Sequence, residues 1–122
     1  MRRNFFLISI SSAAIAACSL IPGTEQHAAE RARALLSPTL FDADSAKFTD
    51  VRRVHINQPP EDIICGKINA KNQLGAYTGF RRFFASEGDG FAVVERDGDS
   101  QEVRNHNAGF AAVWEKCEPK RG

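Results

Sequence analysis

Residues 64–70 alternate between apolar and polar side chains, and this short stretch is the centre of the predicted fold. Two isoleucines and an alanine share one face, while Cys65, a lysine and an asparagine share the other, as in a half-buried strand. A turn follows, because asparagine tolerates a positive φ and Gly75 adopts one without steric cost. Residues 77–84 are rich in aromatic side chains and predict the returning strand. We therefore expect a hairpin over residues 64–85 with a loop of about four to six residues.

Alanines and leucines at helical spacing predict an N-terminal helix over residues 25–36, with Thr24 as its N-cap. From Phe110 onward, apolar residues recur at helical spacing and favour a C-terminal helix with Asn107 near its cap; the alternative is a strand over residues 109–115. The other predicted elements are a short helical turn at 41–48 capped by Asp42 or Asp44, strands at 50–56 and 91–96, a tight hairpin turn at 97–99, and a short partner strand at 101–104.

Together these elements predict an α+β domain, with a small antiparallel sheet of about four strands, an N-terminal helix and a C-terminal helix. Two of the cysteines, Cys65 and Cys117, fall within this domain, without a Cys-x-x-Cys motif or a histidine at ligand spacing. In an oxidising compartment a disulfide is the expected pairing. Closing the loop between Cys65 and Cys117 contributes about 4 kcal/mol to the free energy of unfolding in the chain-entropy model.

The first residues are organised like a signal peptide, with a positive start, an apolar run and then small residues. The apolar run is too short for a transmembrane helix, which needs about 20 apolar residues. Residues 15–18, Ile-Ala-Ala-Cys, resemble a bacterial lipobox, in which the cysteine thiol receives a diacylglycerol and becomes the new N-terminus. The acyl chains of such a lipoprotein give stable membrane anchoring, which a single chain would not.

We therefore predict a signal peptide over residues 1–17, lipidation at Cys18, a lipidated tether over residues 18–23, and one α+β domain over residues 24–122. Serine rather than aspartate follows the cysteine, which in lipoproteins of this type implies transfer to the outer membrane, facing the periplasm. Ordinary cleavage after Ala16 is the alternative and would give a soluble periplasmic protein. The paired arginines near the start leave export by either the general or the twin-arginine route open.

The central stretch contains Cys-Gly-x-x-Asn-Ala-Lys-Asn from Cys65, and Gly-x-Tyr-x-Gly-Phe-Arg-Arg-Phe from Gly75. Asp-Ser-Ala-Lys-Phe at residues 44–48 precedes it, and Trp114 and Cys117 follow. This pattern resembles a group of small exported bacterial proteins of uncharacterised function, over about residues 40–117. The resemblance implies a shared fold and export, and it implies no reaction.

The chain has 16 basic and 15 acidic residues, and two of the arginines belong to the predicted signal peptide. Such a balance argues against a nucleic-acid partner, which would favour a clearly basic chain. The charges are nevertheless unevenly placed, since residues 47–82 carry seven basic and three acidic side chains, and residues 87–118 carry three basic and eight acidic ones. We expect these two halves to complement each other across one sheet.

The sequence indicates no catalytic residues, no metal site and no cofactor. His27, His55 and His106 are predicted on a helix, a strand and a loop, and we interpret each as a surface residue. The Asp-Gly pairs near residues 89–99 lack the ligand spacing of a calcium loop and are typical of turns.

Five residues of the central stretch are the candidate binding residues: Lys67, Lys71, Tyr77, Arg81 and Arg82. Adjacent arginines in a strand face opposite sides, so at most one joins the core, and there it must be paired. The other arginine is placed to join the lysines on a basic face that binds an acidic partner, a lipid headgroup or a glycan through charge-assisted hydrogen bonds. The competing interpretation is a solvated or internally paired hairpin face.

These features favour a non-enzymatic envelope lipoprotein that acts as a binding, assembly or inhibitor-type accessory module. Its expected partners are the membrane, through the lipid anchor, and an envelope protein or the cell wall. One alternative is a small hydrolase of cell-wall glycan or peptide, and a second is a soluble periplasmic protein of another role. The sequence leaves the oligomeric state open.

The predicted anchor and disulfide can be tested together by the intact mass of the protein purified from its native envelope without reduction. We expect a chain that starts at Cys18, is heavier by two or three acyl groups, and is lighter by two hydrogens. A lipid-free chain that starts near Ala17 would instead indicate the soluble periplasmic form.

Overall fold

A computed structural model describes residues 24–118, and this part of the chain contains two helices and four strands. The elements are α1 Glu25–Leu36, the 3₁₀ turns Ser37–Thr39 and Ala43–Ser45, β1 Lys47–Asn57, β2 Pro60–Asn69, β3 Arg81–Ser86, β4 Phe91–Val94, and α2 Gln101–Trp114. The predicted α+β fold, with a helix at each end of the described region, is confirmed. The predictions for the signal peptide, the lipidated Cys18 and the tether lie outside the described residues.

The strands pair antiparallel in the order β1-β2-β3-β4, so each strand lies beside the next one in the chain. Since side chains alternate between the two faces, the sheet has two cores, one under each helix. The core under α1 contains Ala28, Ala32, Leu36, Val51, Ile64, Ile68, Phe83 and Ala85. The core under α2 contains Ile56, Ile63, Cys65, Phe84, Phe110, Trp114 and Cys117.

Two neighbouring residues of β2 connect the sheet to these two cores. Cys65 faces α2 and forms a disulfide with Cys117, just beyond the end of that helix, and both residues are buried. Gly66 faces the α1 side, where a Cβ atom would lie 3.0 Å from Phe83 Cε1 and 3.1 Å from Val51 Cγ2. The Phe83 ring therefore occupies the space that a side chain at position 66 would need.

The outer strand β1 is irregular near its middle. Its register with β2 shifts between Thr49 and Arg52, and Asp50, within this interval, has a φ of 53°. Arg52 then faces α2 and donates to Cys117 O from Nε at 3.1 Å and from Nη2 at 2.9 Å. Arg53 faces α1 and donates to Glu87 Oε1 at 2.7 Å. The strand predicted at 50–56 thus exists and is longer at both ends.

The hairpin predicted over residues 64–85 is present, but its loop is longer than expected. β2 ends at Asn69 and β3 begins at Arg81, so the returning strand starts four residues later than the predicted Tyr77. The reason is local: Gly79 has a φ of 101°, and its N–H donates to the side chain of Asn69 rather than to a strand ladder. Aromatic content alone did not reveal this break.

The C-terminal helix is confirmed, but it starts earlier than predicted. Ser100 is its N-cap, with Oγ accepting from Val103 N at 3.2 Å, so α2 includes the residues predicted as a strand at 101–104. The predicted hairpin turn at 97–99 is also wrong, because within residues 24–118 no strand follows β4, and this segment bends at Gly98 and leads into the helix. Asn107 lies inside α2 instead of capping it. Between α1 and β1, the turn at 43–45 is capped by Asp42 and not by Asp44.

The packing at Gly66 predicts that a single methyl group there destabilises the domain. In Gly66→Ala the new Cβ is too close to Phe83 and Val51, and overpacking of this kind costs about 1–3 kcal/mol. Gly88→Ala is the matched control, because a Cβ at that position meets no atom within 4 Å. Urea unfolding should show a lower midpoint for Gly66→Ala alone; equal midpoints for the two variants would contradict this account of the core.

Candidate functional site

The connection between β2 and β3, residues 70–80, is braced by its own hydrogen bonds, and we call it the Leu74 loop. Asn72 organises its tip: its N–H donates to Ala76 O at 2.9 Å, and its Oδ1 accepts from Leu74 N and from Ala76 N at 2.9 and 3.2 Å. Gly75, with a φ of 75°, donates to Asn72 O and closes the turn. The tip is therefore an ordered structure.

The base of the Leu74 loop is attached to the turn at Ala43–Ser45. Lys71 and Tyr77 form an isolated antiparallel bridge across the loop. Tyr77 donates its hydroxyl to Ser45 O at 3.0 Å, and Lys71 N donates to Ser45 Oγ at 3.2 Å. Two distant segments of the chain thus meet at Ser45 and fix the position of the loop.

Three large apolar side chains on or near this loop face solvent. Leu74 at the tip is 90% exposed, Phe41 is 68% exposed and Phe80 is 50% exposed. Phe41 and Leu74 border an open groove of about 450 Å³, which we call the loop groove; it is also lined by Leu40, Lys71, Thr78 and Arg81. Apolar side chains that an ordered loop holds in solvent, beside polar neighbours, are typical of an interaction surface.

The same region is rich in positive charge. The ammonium groups of Lys47 and Lys71 lie 4.4 and 5.5 Å from the centroid of the Tyr77 ring, within the range of cation–π attraction. Neither lysine makes an ion pair with a carboxylate of residues 24–118. Arg81 donates to Thr78 Oγ1 at 3.1 Å and lies 3.6 Å from the exposed Asp97 carboxylate. The surface therefore combines apolar groups with available cations.

The structure separates the five candidate binding residues into two groups. Lys71, Tyr77 and Arg81 lie together at the Leu74 loop. Lys67 and Arg82 are opposite each other in the β2–β3 register and face α2 instead. The sequence suggested one basic face on the hairpin, but the structure divides these cations between the two sides of the sheet. The reason is that Lys71 lies beyond the end of β2, so its side chain no longer follows the alternation of side chains along that strand.

Arg82 has a clear structural role on the α2 side. Its guanidinium lies over the rings of Phe110 and Trp114, at 5.5 and 5.3 Å from their centroids. Nε donates to Glu95 Oε2 at 3.0 Å, and Nη2 donates to the other carboxylate oxygen. Arg82 is thus paired, although its side chain is as exposed as that of Arg81, and the pair joins the basic half of the chain to the acidic half.

These pairs change the acidity of two carboxyl groups. The hydrogen bond from Arg82 lowers the pKa of Glu95 below its ordinary value, although partial burial acts in the opposite direction. The hydrogen bond from Arg53 similarly lowers the pKa of Glu87, again against partial burial. Both carboxylates are therefore stabilised in their charged form by the folded structure.

Sequence reasoning missed Lys47, Phe41, Leu74 and Phe80 as members of this surface. The available signal was weak: Leu74 is an apolar residue inside a turn sequence, and Phe41 stands beside polar turn residues. Neither position follows the period of a helix or a strand. Lys47 approaches Tyr77 only because β1 lies beside β2, which a local pattern does not reveal.

The three histidines lie apart and make different contacts. His27 Nδ1 accepts from Arg53 at 2.9 Å, His55 Nδ1 donates to Asp62 at 2.7 Å, and His106 Nε2 donates to Val94 O at 2.9 Å. Among residues 24–118, no group of three or more His, Cys, Asp or Glu side chains is placed to hold a metal ion. Nor does that part of the chain contain a helix long and apolar enough to cross a membrane.

Comparisons with protein-family models, with curated proteins and with solved structures found no match to this chain.

The lowered pKa values predict how stability depends on pH. A carboxyl group whose pKa is lower in the folded state contributes its full stabilisation above the ordinary value of 4.5, and loses it as the pH falls through the lowered value. Glu95→Gln should be less stable than wild type at neutral pH and should lose less stability on acidification.

Urea unfolding at a series of pH values from neutrality downward measures this difference. Glu102→Gln is the control, because that side chain is 84% exposed and its ion pair with Arg96 is weak. Parallel pH profiles for wild type and Glu95→Gln would contradict the stabilising role of the Arg82–Glu95 pair.

Proposed function

We propose that this protein is a non-enzymatic lipoprotein of the bacterial cell envelope, anchored through Cys18 in the outer membrane and facing the periplasm. Its domain binds an envelope protein through the Leu74 loop and the loop groove. The sequence supports the anchor through the lipobox-like residues 15–18, which lie a few residues before α1. A tether of this length spans at most about 20 Å, which limits the distance between the anchor and the start of the domain.

The main observation is that some residues of the central motif shape and attach the Leu74 loop, while Leu74 itself only faces solvent. Asn72, Gly75 and Gly79 shape the loop through hydrogen bonds or positive φ angles, and Tyr77 attaches it to the neighbouring turn. The fold itself makes no such use of the Leu74 side chain, which is almost fully exposed at the tip. An ordered loop that carries an exposed apolar side chain is prepared for binding, because little conformational entropy is lost when a partner covers it.

The chemistry of the loop groove favours binding over hydrolysis. Its lining residues include the hydroxyls of Thr39 and Thr78 and the amine of Lys71, but no carboxylate or histidine to act as a general base for a hydroxyl, and no serine or cysteine. They do supply Lys71, Arg81 and apolar surface, which suit a partner with acidic and apolar groups. The hydrolase alternative therefore has no specific support at this surface.

Site-directed photocrosslinking in intact cells tests this proposal. A crosslinking amino acid in place of Phe41 should give a covalent product with an envelope protein, and the same group in place of Glu102, on the exposed side of α2, should not. Adding Lys71→Glu to the Phe41 variant should reduce that product about tenfold, because the charge at the groove is reversed. Thermal unfolding checks that each variant is folded.

Equal crosslinking from positions 41 and 102 would contradict a binding role for this surface. Turnover of cell-wall glycan or peptide by the purified protein, abolished by a carboxylate substitution, would favour the hydrolase instead. Crosslinks from position 41 to lipid alone would identify a membrane contact rather than a protein partner.

A further inference from the structure

The outer edge of β4, the last strand of the sheet, is only partly covered. On the inner side Glu95 N donates to Arg82 O, and in an antiparallel pair the alternating residues Ala92 and Val94 therefore direct their peptide groups outward. Val94 O accepts from His106 of α2. Within residues 24–118, the N–H groups of Ala92 and Val94 and the C=O group of Ala92 have no hydrogen-bond partner.

The next outward-facing residue of this edge shows what the edge can bind. The side-chain amide of Asn107 accepts from Arg96 N at 2.9 Å and donates to Arg96 O at 2.8 Å. These are the two hydrogen bonds that the backbone of a neighbouring antiparallel strand would make. Helix α2 thus replaces a fifth strand at one end of the edge and leaves the other end open.

The open part of the edge forms the floor of a second groove, of about 390 Å³, which we call the edge groove. Thr39 and Leu40 border it on the α1 side, and His106 borders it on the α2 side. Thr39, Leu40 and Arg81 also line the loop groove, so the two grooves adjoin at these residues. Because Asn107 occupies the edge at Arg96, a chain that pairs with Ala92 and Val94 leaves the edge after Val94 and turns over the α1 side towards Arg81, Phe41 and Leu74.

The opposite edge of the sheet is less suited to accept a strand. There the register of β1 shifts ahead of Arg52, and the positive φ of Asp50 interrupts the row of outward peptide groups. Bulges and charged residues are the usual protection of an exposed edge against pairing. The β4 edge has no bulge in its pairing with β3.

The charges of the two grooves select an acidic occupant. Glu95, the carboxylate that lines the edge groove, is bound to Arg82 on the other face of the sheet. Arg81 has an ion pair at 3.6 Å with Asp97, which is 72% exposed, and such solvated pairs are weak. A partner carboxylate can therefore replace Asp97 at Arg81 and gain charge-assisted hydrogen bonds.

We propose that an extended segment of a partner protein adds to β4 as a fifth strand. Its backbone pairs with Ala92 and Val94, an acidic side chain binds Arg81, and an apolar side chain packs against Phe41 and Leu74. This inference rests on the proposed function, a binding module of the envelope, and assigns the form and chemistry of the segment that it binds. Main-chain pairing supplies affinity in this mode, and the side chains on either side supply specificity.

Selection from a display library of random peptides of about twelve residues, against the purified protein, tests this proposal. We expect enriched peptides that combine carboxylates with large apolar residues. Binding of a synthetic copy should weaken about tenfold in Arg81→Glu. It should also weaken in Ala92→Pro, which removes one outward N–H group, and not in the matched Ala92→Gly, which keeps it.

A scan of N-methyl groups along the selected peptide gives a readout that does not depend on the folding of any variant. Only every second amide of an added strand pairs with β4, so methylation should abolish binding at alternate positions. Sensitivity without this alternation would overturn strand addition, and tight binding unaffected by Arg81→Glu would overturn the acidic contact that the proposal assigns to Arg81. A failure to enrich any peptide, or binding to anionic lipid vesicles in place of peptides, would also overturn strand addition.

These outcomes are distinguishable from a failure of the proposed function. A protein that crosslinks from position 41 in cells but shows no alternating N-methyl pattern remains a binding module and loses only strand addition. A protein that binds peptides with the alternating pattern but gives no crosslink from position 41 keeps strand addition and loses the assigned role of the Leu74 loop.

Discussion

The packing of two adjacent residues in β2 is the constraint on which the rest of this domain depends. Cys65 connects the central part of the sheet to the end of α2 through its disulfide with Cys117. Gly66, next to it, leaves room on the other face for the Phe83 ring under α1. Both helices are thus positioned against one strand, and a small domain of this size gains much of its stability from such a cross-link and a closely packed core.

Two pairs of adjacent arginines show how strand alternation distributes charge between the layers. Arg52 and Arg82 face α2, where they contact the Cys117 carbonyl, Glu95 and the aromatic rings of the helix. Arg53 faces α1 and pairs with Glu87. Arg81 faces the grooves and has only a weak, solvated ion pair. Three of the four arginines therefore stabilise the fold, and Arg81 is the one whose position suits a ligand.

The β4 edge and the Leu74 loop lie next to each other because of where the α1 layer ends. The segment after α1, including Leu40 and Phe41, lies between the loop and the outer strand and borders both grooves. The loop supplies exposed apolar side chains, the edge supplies unpaired peptide groups, and Arg81 lies between them. An extended acidic segment would satisfy all three.

The sequence by itself determined the fold class, the central hairpin, the helix that Thr24 caps and the pairing of Cys65 with Cys117. Each depends on a signal that is local or can be counted: periodicity, helix capping or the number of cysteines. The errors of the sequence-based prediction were at boundaries, where Asn69, Gly79 and Ser100 end or start elements through single side-chain or backbone contacts, and at residues 97–104, where a turn and a strand were predicted in place of the approach to α2 and its first turn. Only the tertiary structure decided which cations share a surface. It placed Lys47 against Tyr77 and separated Lys67 from Lys71, because strand pairing and the end of a strand, rather than distance along the chain, set those neighbours.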